Sequence, residues 1–600
     1  MRWRDPMSHS FKRPGHALAA IAALVFACTA GAADPAKILR VASPDIATLD
    51  PQQYADNPSY EVIVAIFEPL YEWDYLASPP RLTPLTAVGP VEIADNGLTW
   101  TMRVRPGILF TDDAAFSGKP RELTAQDYVY SYKRWLDPNG HRGGAPLIAA
   151  LITGARNVID TARESGKFDF DRPIEGLRAL DRYTLQLQLT DANYPVIQDM
   201  LGLVGAAARE VVEAAGTDIG ARAVGTGPFR LREWKRGSRI VLDANPAYRQ
   251  VAFPASSDRA RAALVRSMQG KRLPLIGGVE ISIIDEDVPR LLQFERGGLD
   301  YIVLRGEVAA RLLKDGKVKP EYAARGVAHH VFSEAYLFAF YFNIADPVIG
   351  GMTNERVALR RAMALAHDIE TLVGIVYAGQ ALPANQIVPP GLAGHDPHRS
   401  FTPLYDPLAA KALLDRFGYA KRGADGYRLA PDGKPLVLTM TLRSGALSRE
   451  IETLWKRNMD AVGLRFEFHV TPFQDAIKEL EHGQFQIYFG GFGGSPSGYP
   501  ELMQLYSKQT QQFNISQFKL AEYDRAAEAF LHSTTEAQRI KAAGTMSELA
   551  RTYTPLLPAI FRLESDFVHP WVHGFSAPVF ATYWKYLDID LAQRKAATRH

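Results

Sequence analysis

Gly490-Gly491-Phe492-Gly493-Gly494-Ser495-Pro496 is the run in this 600-residue chain that looks most like a place where chemistry could occur. A phosphate loop would follow its glycines with Lys and Ser/Thr, and this run does not. Its glycines suit a close backbone approach, either to a ligand or to another segment, and they equally suit a tight turn. Other candidates are weaker. His329 and His330 fall next to each other in a predicted strand, where neighbours point to opposite faces, so they do not share a metal. Asp112-Asp113 and Asp285-Glu286-Asp287 read as solvated loops rather than acid/base dyads. There is no His-Glu-x-x-His, no phosphate loop and no Gly-x-Ser-x-Gly elbow. No catalytic residue, metal ligand or cofactor motif emerges, so a binding function is favoured over an enzymatic one.

The elements around these residues alternate between helix and strand, which makes the chain a mixed α/β protein. Asp95-Asn96-Gly97 marks a turn, and Leu98 to Val104 alternates as a half-buried strand. Thr124 with Asp127 predicts a capped helix carrying Val129, Tyr132 and Trp135, stopped by Pro138-Asn139-Gly140; Tyr128, Tyr132 and Trp135 are core candidates. Tyr183 to Leu189 alternates again. Asp406-Pro407 opens a helix closed by Gly418, and Ser448 opens another closed by Gly463. Leu464, Phe466, Phe468 and Val470 then alternate in a strand, a helix follows over 473–480, and residues 485–489 form the next strand. The glycine run therefore sits at the end of a strand in a β-α-β unit, where α/β folds place ligands.

The length exceeds what one hydrophobic core supports, so two or three domains are expected. Lys12-Arg13, the apolar run Ala17 to Ala27 and the small residues up to Ala33 read as a secretory signal peptide over residues 1–33, too short to span a bilayer. Met1 or Met7 could serve as the start. Cys28 is the only cysteine, and bulky Phe26 argues against its being a lipidation site. Cleavage near Ala33 leaves no cysteine, hence no disulfide and no thiolate chemistry. It also removes a net +3 from a formal charge of +2. The mature protein is then near neutral and has no electrostatic reason to bind nucleic acid or anionic lipid.

Five groups of residues, in order along nearly the whole mature chain, resemble the family 5 extracellular solute-binding proteins, the oligopeptide/dipeptide/nickel group. They are Thr48-Leu49-Asp50-Pro51 with Phe67-Glu68-Pro69-Leu70-Tyr71; Gly97 to Trp100 through Arg103-Val104-Arg105-Pro106-Gly107 to Leu123-Thr124-Ala125-Gln126-Asp127; Gly225-Thr226-Gly227-Pro228-Phe229 with Asn245-Pro246-Ala247-Tyr248; Tyr341-Phe342-Asn343 with Arg360-Arg361-Ala362; and Tyr405-Asp406-Pro407 with Leu413-Leu414. The resemblance implies a periplasmic-binding-protein-like fold (type II, cluster C), a two-lobed clamshell with an extra third domain. It divides the chain into a lobe I core (34–80, 220–306, 555–600), an extra domain II (81–219) and a lobe III (307–554). It also implies a periplasmic monomer that captures a small peptide or peptide-like solute by lobe closure. The closed form would be presented to an ABC permease and ATPase complex in the inner membrane, without a cofactor. A secreted hydrolase with a dispersed triad and a ligand-sensing partner of a receptor are the alternatives.

By the same resemblance, ligand contacts come from Asp45, Ile46 and Ala47, from Pro146 and Leu147, and from Phe492, Gly493, Gly494 and Ser495. Ser495 stands where the family commonly carries the aspartate that pairs with a peptide's ammonium, and Phe492 replaces its tryptophan. A serine supplies no charge. Recognition of a free α-amine is therefore expected to be poor unless Asp45 or Glu501 reaches the same spot.

Overall fold

Three sheets organise the computed structural model, which describes residues 33–54, 56–140, 146–445, 447–509, 513–576 and 584–598. The signal-peptide reading and Cys28 lie outside the described residues. None of the described helices is long and apolar enough to cross a membrane.

The first sheet begins with Asp34–Ser43, which runs parallel to Ile276–Ile283; Arg239–Ala244 and Phe229–Lys235 extend it antiparallel. Its core takes Leu39, Val41, Phe229 and Val279, and Trp571 and Trp584 from near the C-terminus cover it. The second sheet pairs Glu92–Ala94, Thr99–Arg103, Thr184–Gln188 and Leu177–Ala179, all antiparallel. The alternation in the sequence translates directly: Trp100, Met102, Leu185 and Leu187 point inward. The helix Ala125–Leu136 starts with a capping box in which Asp127 accepts from the Thr124 N–H at 2.8 Å. It buries Tyr128 and Tyr132, while Trp135 is half-buried.

The third sheet has eight strands. Val437–Arg443 lies parallel between Arg465–Thr471 and Ile487–Gly493, with the helices Ser448–Val462 and Phe473–Glu481 as crossovers. The β-α-β reading holds, but the two strands it singled out are separated by Val437–Arg443. Burial along Arg465–Thr471 fades outward until Val470 is exposed, as an edge strand allows. The 13-residue strand Leu556–Val568 is shared: it pairs first with Tyr336–Phe342 and later with Tyr301–Leu304 and Ala328–Ser333.

Chemistry-bearing residues set aside in the sequence behave as structure. His329 stacks on Phe567 and meets Ser565 Oγ at 3.1 Å, whereas His330 packs against Phe575. Asp113 caps a short turn and pairs with Arg222. Among the described residues no cluster of His, Cys, Asp and Glu could hold a metal ion.

Candidate binding site

The segment Asp45-Ile46-Ala47 follows the first strand. The exposed Asp45 accepts from Gly237 N–H through Oδ2 (3.0 Å), and its own N–H reaches Asp285 (3.3 Å). Ile46 is 2 % exposed and belongs to the core of the first sheet, and its N–H donates to Asp45 Oδ1 (2.9 Å). Ala47 is exposed and its N–H donates to Ser59 Oγ (3.1 Å) in the helix Asn57–Ile66. Beyond it, Asp50 receives Arg134 through two bonds of 2.7 and 3.0 Å, both residues being buried. This bidentate pair fastens the loop to the helix Ala125–Leu136.

The glycine run does not leave the sheet where the sequence ended its strand. Ile487–Gly493 continues through it, and Gly490, Gly491 and Gly493 pair with Ala339, Phe338 and Tyr336. Another segment, rather than a turn, accounts for the glycines. A Cβ at Gly491 would lie 2.6 Å from the Phe338 ring, and one at Gly494 would lie 2.9 Å from Tyr336 Oη. Gly493 has φ +138°, and a Cβ there would meet Glu501 Oε1 at 2.2 Å. Phe492 stays half-buried at the mouth of a pocket of about 300 Å³ lined with Tyr336, Phe473, Ile477, Leu480 and Tyr488.

Ser495 is 7 % exposed, and its hydroxyl donates to Asp199 Oδ2. Ser497 donates to the same oxygen at 2.7 Å. Asp199 comes from the helix Tyr194–Leu203, which packs with the second sheet's domain, so one carboxylate ties two parts of the molecule together. Burial pushes its carboxyl up to about 7, against the two serines and Arg539, which lower it. Glu501, on the other side of Gly494, is fully buried, accepts from Gly494 N–H at 3.2 Å and is pushed up to about 8, again by burial first. Asp45 is occupied elsewhere. The carboxylate that reaches Ser495 is therefore Asp199, which the sequence reading did not consider. Gln198-Asp199 is the one polar step in the otherwise apolar PVIQDMLGL stretch of that helix, and this was the signal available.

Leu147 is half-buried on the short helix Pro146–Leu151, against the helices Ala125–Leu136 and Ala155–Ser165. No described contact brings it to residues 45–47 or 492–495. Larger cavities, of about 570 and 780 Å³, open on either side of the segment Trp73–Pro80. The second is also lined by Gln198, Ser497 and Arg539.

The model of the bacterial extracellular solute-binding proteins, family 5 (middle), matches residues 81–514, most of the chain. The chain belongs to this family. It is 24 % identical to the periplasmic oligopeptide-binding protein OppA of Escherichia coli K12, over 97 % of this chain and 99 % of that one. It is 23 % identical to di/tripeptide-binding protein 2 of Pseudomonas aeruginosa UCBPP-PA14, over 94 % and 98 % respectively. Among solved structures, the periplasmic binding protein DppA of Helicobacter pylori in complex with the peptide STSA superposes with a TM-score of 0.67, at 16 % identity, covering 92 % of this chain and 98 % of that one. The architecture is accordingly the α/β, two-lobed periplasmic-binding-protein-like fold. Two of the motif residues that carry the resemblance, Glu68 and Arg360, are scaffolding. Glu68 is buried and receives Thr226 (3.1 Å), Tyr248 (3.0 Å) and Arg249 (2.6 Å), which joins the first and third motifs. Fully buried Arg360 donates to the carbonyls of Ile349, Gly351, Tyr553 and Thr554.

Proposed function

We propose that this chain is the periplasmic substrate-binding component of an ABC importer, capturing a peptide or peptide-like solute and presenting it to a membrane permease. Family membership over most of the chain carries the reading, and the peptide-binding relatives in both comparisons support its ligand class. In this reading the lobe I core comprises residues 34–80, 220–306 and 555–600, domain II 81–219 and lobe III 307–554. Solute contacts come from Asp45 to Ala47 and from Phe492 to Gly494, and from Ser495 only when Asp199 releases it. Ligand bridging the lobes favours the closed state by its differential affinity, so no chemistry on the solute is needed.

The test is small-angle X-ray scattering on the mature protein, with and without a library of di- to pentapeptides, followed by recovery of the bound peptide. A fall in radius of gyration with an intact peptide is the expected result. A cleaved peptide would favour a hydrolase, and a fixed radius across the library would remove peptides as the ligand.

A further inference from the structure

The strand Leu556–Val568 carries Arg562, Glu564 and Asp566 at alternate positions, so the three side chains leave one face of the sheet. Arg305, just past Tyr301–Leu304, pairs with Glu564 and with Glu334 (2.8 Å), and Arg562 pairs with the same Glu334 (2.6 Å). Glu334 thus takes both guanidiniums, and Glu564 shares one. Asp566 has neither. It is 4 % exposed, and no hydrogen bond or ion pair from a described residue reaches its carboxylate. Glu61, on the helix Asn57–Ile66, feels the charges of Glu564 and Arg305, and Asp566 in turn feels the charge of Glu61. Glu61 too lacks an ion pair among the described residues, and its side chain is open. The nearby Arg290 is already committed to the carbonyls of Ile284 and Asp285 and to Asp287.

Four carboxylates therefore stand against two guanidiniums. Asp566, 4 % exposed and unpaired, is the member held from water, and its negative charge is unfavourable until a cation joins it. Asp566 responds by holding its proton: burial, with the neighbouring carboxylates adding, raises it well above the usual range. The cluster also connects the two expected solute segments. Ala47 N–H bonds Ser59, two positions before Glu61. At the other end the Arg562 guanidinium lies 4.4 Å from the centre of the Phe338 ring, the ring that packs onto Gly491.

We propose that Glu61, Glu564 and Asp566 form a subsite for a cationic group of the solute, a primary ammonium or a guanidinium. The inference rests on the reading of the chain as a solute-binding protein and specifies which solutes it selects. An ammonium can come from a peptide's α-amine or from a side chain, and the test separates them. Isothermal titration calorimetry on the mature protein compares Ala-Lys-Ala, its N-acetyl form, Ala-norleucine-Ala and N-acetyl-Ala-norleucine-Ala. At least one singly cationic peptide is expected to bind about tenfold or more tighter than the doubly neutral one. Glu61→Gln and Asp566→Asn should each bring that ratio to within about threefold. Because Glu61 is open, its substitution tests the charge without risk to the fold. A doubly neutral peptide that binds as tightly as the cationic ones, or a ratio that survives both substitutions, overturns the subsite while leaving the binding-protein reading intact. If none of the four binds, the peptide reading fails, and the subsite is tested alone with methylguanidinium chloride. A Tm rise over sodium chloride that is lost in Asp566→Asn upholds it; equal behaviour of native and variant protein overturns it.

Discussion

Ser495 shows how one side chain changes meaning once its neighbour is known. In the sequence it is a missing charge; in the fold its hydroxyl belongs to Asp199, with Ser497 as the second donor. Introducing the aspartate common in the family would therefore set two carboxylates against each other. Ser495→Asp is expected to cost about 3 kcal/mol by urea unfolding at pH 8, and adding Asp199→Asn should recover most of it. Acid should also matter. Asp199 is faced by Ser495 and Ser497 from the loop, Arg539 from the helix Glu536–Tyr553, and Tyr499 and Glu501 from Tyr499–Met503. Its folded-state pKa of about 7 lies above the ordinary 3.8, so the folded chain holds an extra proton between these values. That contribution is full at acid pH, declines as pH rises through the window and is flat above it. Native stability relative to Asp199→Asn should accordingly fall between about pH 4.5 and 7.5; a constant difference would show that Asp199 is already ionised in the fold.

At the scale of elements, the glycine run shows a strand kept open for its neighbours. Gly493 combines a backbone conformation that disfavours side chains with contacts at 2.2 Å to Glu501 and 2.6 Å to the Ala335 carbonyl. Gly493→Ala should cost about 2–3 kcal/mol. Gly374, in the helical turn Leu372–Val376, has no left-handed φ, and nothing lies within 4 Å of where a Cβ would stand, so Gly374→Ala should be neutral or slightly stabilising. Equal effects in thermal denaturation would mean that crowding at Gly493 is relieved by movement of the neighbouring segment.

For the whole molecule, buried polar pairs join parts far apart in sequence. Asp50 and Arg134 hold the loop after residues 45–47 to the helix Ala125–Leu136, and Glu68 gathers Thr226, Tyr248 and Arg249. Arg134→Met leaves the Asp50 carboxylate buried without its partner and should cost about 3–5 kcal/mol. The cost should appear in both the urea midpoint and solute affinity, because the same loop leads back to Ala47; loss of stability alone would separate the anchor from the binding segment.

Local pattern was enough for much of this protein. Capping at Thr124, the starts at Asp406 and Ser448, the stops at Gly418 and Gly463, and the inward Trp100, Met102, Leu185 and Leu187 all follow from nearest-neighbour geometry that a sequence displays directly. The order of the five motifs carried the family. Tertiary structure alone decided the rest, because the deciding contacts cross long separations. Ser495 meets Asp199 across 296 positions, Arg305 meets Glu564 across 259, and Val437–Arg443 inserts itself between two strands that adjoin in the chain's β-α-β order. Charge surplus at Glu61 and Asp566 is likewise invisible in composition, since a carboxylate's cost depends on which cations and how much water surround it in space.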